Sequence, residues 1–247
     1  MDRALYVAMT GATQTLRAQA VNNNNIANAS TTGFRAEIAA LQDVAVTGPG
    51  QPTRVNALAQ ESGWDSSSGA LQSTGNPLDV ALRDNAWLAV QAPDGKEAYT
   101  RAGDLRVNAL GQLANGAGHL VLGEGGPVSV PPNSSITVGS DGTISIVPVG
   151  QGPETQATVA RLKIVDAKPE QLQRGVDGLM RAAPNVKLSA AAGNTVASGM
   201  LESSNVNLPQ AMVNMITLAR QFEMQVKMMK TVEDNATAAA TVMRMGG

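Results

Sequence analysis

The side chains able to do acid–base, nucleophilic or metal chemistry are few in this chain, and their spacing suits turns rather than a reaction centre. Histidine occurs once, as His119, and cysteine not at all. Any histidine base or ligand would have to be His119, and zinc-finger, iron–sulfur, thiol-nucleophile and disulfide-framework chemistries are excluded. His119 lies between a Gly-rich turn and Leu120-Val121-Leu122, which predicts a surface strand position. The carboxylates Asp79, Asp84, Asp94, Asp104, Asp141, Asp166 and Asp177 mostly flank turns, where Asp is favoured because its side chain bonds the local backbone. There is no P-loop, no GxGxxG after a strand and no HExxH, and Gly123-Glu124-Gly125-Gly126-Pro127 lacks the Lys and following helix that phosphate binding needs. These residues predict no enzyme, no cofactor and no metal site.

Composition narrows the classes further. Of 247 residues, 43% are hydrophobic but only 2% aromatic, which argues against one large aromatic-rich core. The formal charge of −2 suggests no basic nucleic-acid surface. No stretch approaches the ~20 apolar residues needed to span a bilayer. The first twenty residues lack the apolar core of a cleavable secretory signal, with Arg17 where that core should be.

The elements that must carry function are therefore sought at the ends. Leu5, Met9, Ala12, Leu16, Gln19, Asn23 and Ile26 are spaced by 4 and 3 in alternation, the a/d seam of a coiled coil. Gln19 and Asn23 are polar members of that seam, and Gly33 is placed to stop the helix by taking positive φ. Leu208, Met212, Met215, Ala219, Phe222, Val226, Met229, Glu233, Ala236, Ala240 and Met243 repeat the pattern, with Glu233 as an interruption. Asn207 is the expected N-cap, and Pro209 falls in the first turn, where its missing N–H costs little. A helix over 208–244 would be about 55 Å long at 1.5 Å per residue, more than a small domain can bury. Eight of the eleven methionines fall at or after Met200, a side chain suited to adaptable interfaces.

The middle changes to period two. Leu78, Val80 and Leu82 alternate with Asp79, Ala81 and Arg83, and Ile136–Ile146 reads as a β-hairpin turning at Asp141-Gly142. The predicted fold is α+β: long coiled-coil-type helices at both ends, packed as an antiparallel pair, around a central, mainly antiparallel β-domain. The expected divisions are an N-terminal helix (1–33), a partly extended connector (34–75), a β-rich outer domain (76–183), a return segment (184–203) and a C-terminal helix (204–247). The pattern favours an intermolecular, many-partner bundle over a closed intramolecular hairpin. The residues expected at subunit interfaces are Leu5, Met9, Ala12, Leu16 and Ile26, Phe34 just beyond the first helix, and Leu208, Met212, Met215, Ala219, Phe222, Val226, Met229, Ala236, Ala240 and Met243.

Several segments carry a resemblance to a known family. Asn24-Asn25-Ile26-Ala27-Asn28-Ala29-Ser30-Thr31-Thr32-Gly33-Phe34 resembles the N-terminal signature of the bacterial flagellar rod and hook proteins. Gly199-Met200-Leu201-Glu202-Ser203-Ser204-Asn205-Val206 and Arg220-Gln221-Phe222-Glu223 resemble its C-terminal signature. Asn76–Leu82 and Tyr99-Thr100-Arg101-Ala102-Gly103-Asp104-Leu105 resemble its β-domain. Ala86 departs from the pattern, since relatives usually carry Gly there. The resemblance implies a structural subunit of the proximal rod that polymerises through its terminal helices into the hollow shaft carrying motor torque. It further implies copies of itself and other rod subunits as partners. Passage through the flagellar type III export apparatus without a cleavable signal, and a place in the periplasmic basal body, are also implied. The rivals are a distal-rod or hook-type subunit and a secreted ligand-binding β-domain with oligomerising helical tails.

Overall fold

The computed structural model describes residues 2–39, 41–45, 55–59, 63–152 and 154–245. They fall into two compact units, one within residues 1–29, 36–65 and 206–247, the other within 30–35 and 66–205.

The first unit holds two long helices, α1 (Asp2–Ala27) and α2 (Leu208–Met245). The expected cap at the start of α2 is present, with Asn207 Oδ1 accepting from the Gln210 N–H at 3.1 Å. The Asn22 side chain reaches the carbonyl of Ala211, and a Cβ on Gly11 would come within 3.0 Å of the Gln225 side chain. Rising numbers on α1 thus run with falling numbers on α2, and the pair is antiparallel as predicted. Two ribbons, 37–38 with 63–64 and 41–45 with 55–59, complete this unit. Both lie in the stretch expected to be an extended connector.

The second unit is built of antiparallel β-structure. A six-stranded sheet runs 172–174, 180–182, 97–100, 86–91, 164–166, 189–190. A three-stranded sheet runs 133–138, 143–148, 157–161. The predicted hairpin is in register, pairing Val138 with Ile144 and Ile136 with Ile146. Asp94, Asp141 and Asp177 each accept a backbone N–H two residues on, as turn aspartates should. The hydroxyl and N–H of Thr143 hold the Asp141 carboxyl below the usual carboxylate range. Leu88, Val90, Leu113, Val121 and Ile144 are fully buried in one core, each contributing about 1.5–3 kcal/mol of transfer free energy.

Two local expectations change, at the return segment and at His119, and Ala86 makes no left-handed turn. The return segment is not a mere connector, because 189–190, 196–198 and 200–202 pair with 164–166, 80–82 and 71–73. Ala86 sits within a strand, and the left-handed residue nearby is Asp84, with φ 47°. His119 lies in the turn before Leu120 rather than in a strand, its N–H bonded to Asn115 Oδ1 at 2.9 Å.

Candidate functional site

The sequence predicts a seam of large apolar residues; the structure moves the contact by one residue on α1, and on α2 it keeps Met215, Phe222, Met229 and Ala236 while exchanging the positions between them. The least exposed positions of α1 are Ala8, Ala12, Gln14, Thr15, Ala18 and Asn22. With Gly11, which faces Gln225, Ala8, Thr15, Ala18 and Asn22 follow the heptad 8, 11, 15, 18, 22, and Ala12 and Gln14 are buried beside it. On α2 the corresponding positions are Ala211, Met215, Leu218, Phe222, Gln225, Met229, Val232 and Ala236, again at spacings of 4 and 3. The spacing is that of a coiled coil, but small and polar side chains fill the α1 half, against Met215, Leu218, Phe222, Met229 and Val232 on α2. Glu233, expected to interrupt the seam, is exposed, and Val232 takes its place.

Two sides flank this seam. On one, Val21, Asn25, Ile38, Asn214, Thr217 and Gln221 line a groove of about 390 Å³. Asn25 works here as a backbone mimic: its amide donates to the Glu37 carbonyl at 2.8 Å and accepts from the Glu37 N–H at 2.8 Å. Asn22 and Asn25 thereby explain half of the run Asn22–Asn25, which on the sequence alone pointed to nothing.

The other side carries an apolar stretch. In an antiparallel pair, positions one residue past the seam fall together on one flank of both helices. Those positions include the apolar Leu5, Met9, Ala12, Leu16 and Ile26 with the polar Gln19 and Asn23 on α1, and the apolar Met212, Ile216, Ala219 and Val226 with the polar Glu223, Lys230, Glu233 and Thr237 on α2. Met9, Leu16, Met212 and Ile216 are 48–53% exposed, and Leu5 and Val226 are also exposed. Leu208, Ala240 and Met243 are exposed, whereas Ile26, Met215, Ala219, Phe222, Met229 and Ala236 are half-buried and Ala12 is buried. Ile216 was not foreseen on this surface, and it is more than half exposed, as are Val213, Met224 and Met228 elsewhere on α2. The register brings the start of α1 opposite the mid-230s of α2, so about ten residues of α2, roughly 15 Å, run past it. Val242, Met243 and Met245 on that overhang are largely exposed. Among the described residues no helix is long and apolar enough to cross a membrane.

In the second unit, the three signature segments converge on one buried charge cluster. Glu202 receives Arg35 Nη1 at 2.6 Å and Arg101 Nε at 2.7 Å, all three side chains being 1–3% exposed. The Gly69 N–H also donates to the Glu202 carboxylate, at 2.9 Å. The rest of the Arg101 guanidinium is spent on the carbonyls of Leu82, Asp84 and Ala86. Gly33 is the predicted left-handed residue, with φ 66°. Its N–H donates to the Glu202 carbonyl at 2.8 Å, and a Cβ there would strike the backbone of Arg101. Phe34 is buried in this unit, with the Arg174 guanidinium 4.6 Å above its ring. Arg35, Arg101 and Glu202 escaped sequence reasoning, although each stands in or beside a segment that carries the family resemblance. No cluster of three His, Cys, Asp or Glu able to hold a metal occurs among the described residues.

Family models match three stretches. Residues 5–35 match the flagella basal body rod protein family. Residues 81–146 match the flagellar hook protein FlgE/F/G D1 domain, and residues 197–242 the flagellar basal body rod FlgEFG protein C-terminal family. Along the whole chain, similarity extends to the flagellar basal-body rod protein FlgF of Escherichia coli, 47% identical over 99% of this chain and 100% of that protein. FlgF of Salmonella typhimurium is 46% identical over the same shares. FlgG of Bacillus subtilis is 31% identical over 95% of this chain and 96% of its own length.

Proposed function

The chain belongs to the FlgF family of flagellar basal-body rod proteins, and we propose that it builds the rod through the apolar flank of its helix pair. It is a structural subunit of the flagellar basal body, assembling with other rod components. In the finer reading it sits in the proximal, periplasmic part of the rod, contacts copies of itself and neighbouring rod subunits, and performs no catalysis. It reaches that place through the flagellar export apparatus without a cleavable signal. The rival of a ligand-binding β-domain with helical tails is not favoured, since the likeness to rod proteins runs from end to end.

One observation supports the assembly surface above all. On α1 the internal contact is made by alanine, glycine, threonine and asparagine, while Leu5, Met9, Leu16, Met212, Ile216 and Val226 stay in water. Contiguous exposed apolar area marks interaction surfaces, and long helices gain most of their stability from packing. The proposed interface residues are these six, with Leu208, Ala219, Ala240 and Met243 along the same helix. Once covered by neighbours, close-packed side chains leave little room for bending, which suits a shaft that transmits torque.

The test is to express Leu16→Asp and Ile216→Asp chains in a motile bacterium lacking its own copy and to image isolated basal bodies. Rods should stop short of the hook, while the thermal transition of the purified chains stays unchanged. Complete rods built from both variants would falsify the assignment.

A further inference from the structure

We infer that the exposed methionines of the helix pair are a reversible oxidation site that controls whether a free subunit can assemble. The inference rests on the reading of the apolar flank as the assembly surface.

The chain has eleven methionines and no cysteine. A peroxide meeting it therefore finds no thiol to consume it, and thioethers are the readily oxidised sulfurs. The structure sorts them by access. Met9, Met212, Met224, Met228, Met243 and Met245 are at least half exposed. Met200, Met215 and Met229 are half-buried, and Met180 is in the core at 4% exposure. The reactive set is thus almost wholly on the helices. Met9 and Met212 lie on the apolar flank itself, and Met243 and Met245 lie on the part of α2 that runs past α1.

The chemistry balances with a peroxide as the sole co-reactant. An S–O bond forms on the thioether, the peroxide O–O bond breaks, and the second oxygen leaves as water. Sulfur loses the two electrons that the peroxide gains. A methionine sulfoxide reductase supplied with a dithiol reverses the step, the oxygen leaving as water while two thiols become a disulfide. The product replaces a flexible apolar side chain with a polar one. In a lone chain these positions already face water, so the fold tolerates the change. In an assembled rod the sulfoxide would have to be buried without a partner, which disfavours association. Free subunits are therefore the vulnerable form, and assembled ones are shielded.

The experiment treats the purified full chain with hydrogen peroxide, maps sulfoxides by peptide mass spectrometry, and measures binding to immobilised rod subunits, its own copies included. Met9, Met212, Met224, Met228, Met243 and Met245 should oxidise first and Met180 last, with the thermal transition unmoved. Binding should fall about tenfold or more, the effect of one unpartnered buried polar group. Treatment with methionine sulfoxide reductase and dithiothreitol should restore it. A chain with those six methionines replaced by leucine should show the same binding before and after peroxide, whatever its own affinity. Full binding by a chain carrying the mapped sulfoxides, or loss that the reductase does not reverse, overturns the inference. The Ile216→Asp chain serves as the separate arm. If it binds normally, the surface reading itself fails; if it does not bind while the sulfoxide chain does, only the oxidation site fails.

Discussion

In the β-rich unit Leu88, Leu113 and Ile144 are wholly buried, and even its charges, Arg35, Arg101 and Glu202, are withdrawn from water. In the helix pair the arrangement is reversed, with Leu16, Met212 and Ile216 half exposed while Ala8, Thr15, Ala18 and Asn22 make the internal contact. The β-rich unit has satisfied its own apolar surface. The helix pair has formed a seam that is small and polar on its α1 half and keeps Leu5, Met9, Leu16, Met212, Ile216 and Val226 outward. Each unit thus follows a different rule about where apolar area belongs, and substitutions can show whether the contrast is real.

The largest effect is expected at Glu202. Glu202→Gln leaves Arg35 and Arg101 buried without their carboxylate, and removing one partner of a buried ion cluster costs about 3–5 kcal/mol. Urea unfolding of the full chain, followed by the fluorescence of the buried Trp87 beside Arg101, should show that loss. A cost below about 1 kcal/mol would mean that the cluster is incidental to closing the β-rich unit. Leu113→Ala should cost about 2–5 kcal/mol by opening a cavity in the same core. Both should move one and the same transition.

How much of this was legible beforehand differs between the two regions. The hairpin pairing Val138 with Ile144 could be read because period two and the Asp141-Gly142 turn are local signals. The same holds for the Asn207 cap and the left-handed Gly33. Helical spacing at both ends was equally plain, but its phase was not. Heptad reasoning assigns large apolar residues to the seam, and the α2 half keeps Met215, Phe222, Met229 and Ala236, but the α1 half belongs to Ala8, Gly11, Thr15, Ala18 and Asn22, one residue earlier. Only an external partner gives the apolar stripe a reason to exist, and a single chain does not encode that partner in its own spacing. Arg35, Arg101 and Glu202 lie 66 to 167 positions apart in sequence, so no local pattern connects them. The strands at 41–45 and 55–59 lay in a stretch rich in Gly, Thr and Pro that reads as a connector.

A middle-sized effect should appear in the helix pair. Asn22→Ala removes the bond to the Ala211 carbonyl and costs about 1 kcal/mol. The loss should register as faster amide exchange in α1 and the first turns of α2, while the core strand 86–91 keeps its protection. Equal acceleration in both places would show that the two regions open together. That result would remove the independence on which the comparison depends.

A smaller, pH-dependent effect belongs to the β-rich unit. The hydrogen bond from Arg181 holds the Asp177 carboxyl below its usual range, helped by the Leu179 N–H. A carboxylate with a lowered folded pKa stabilises fully above the unfolded value of about 3.9 and loses that contribution as pH falls through the folded value. Because the pair is partly exposed, the contribution is under about 1 kcal/mol. Asp177→Asn should therefore lower stability slightly at neutral pH and not at all near pH 2. A difference that persisted in acid would assign the effect to the turn geometry instead of the charge.

The smallest effect on stability is the most informative about function. Leu16→Ser and Ile216→Ser remove apolar atoms that water already reaches, so the unfolding midpoint should move by no more than about 0.5 kcal/mol. If these side chains supported the lone fold, the cost would approach the 2–5 kcal/mol of a core truncation. The same two changes should nonetheless weaken binding to rod subunits, because area covered only in the assembly contributes only there. Stability and assembly thus separate at these positions and move together at Leu113. A parallel loss of both at Leu16 and Ile216 would mean that the apolar flank serves the chain's own fold.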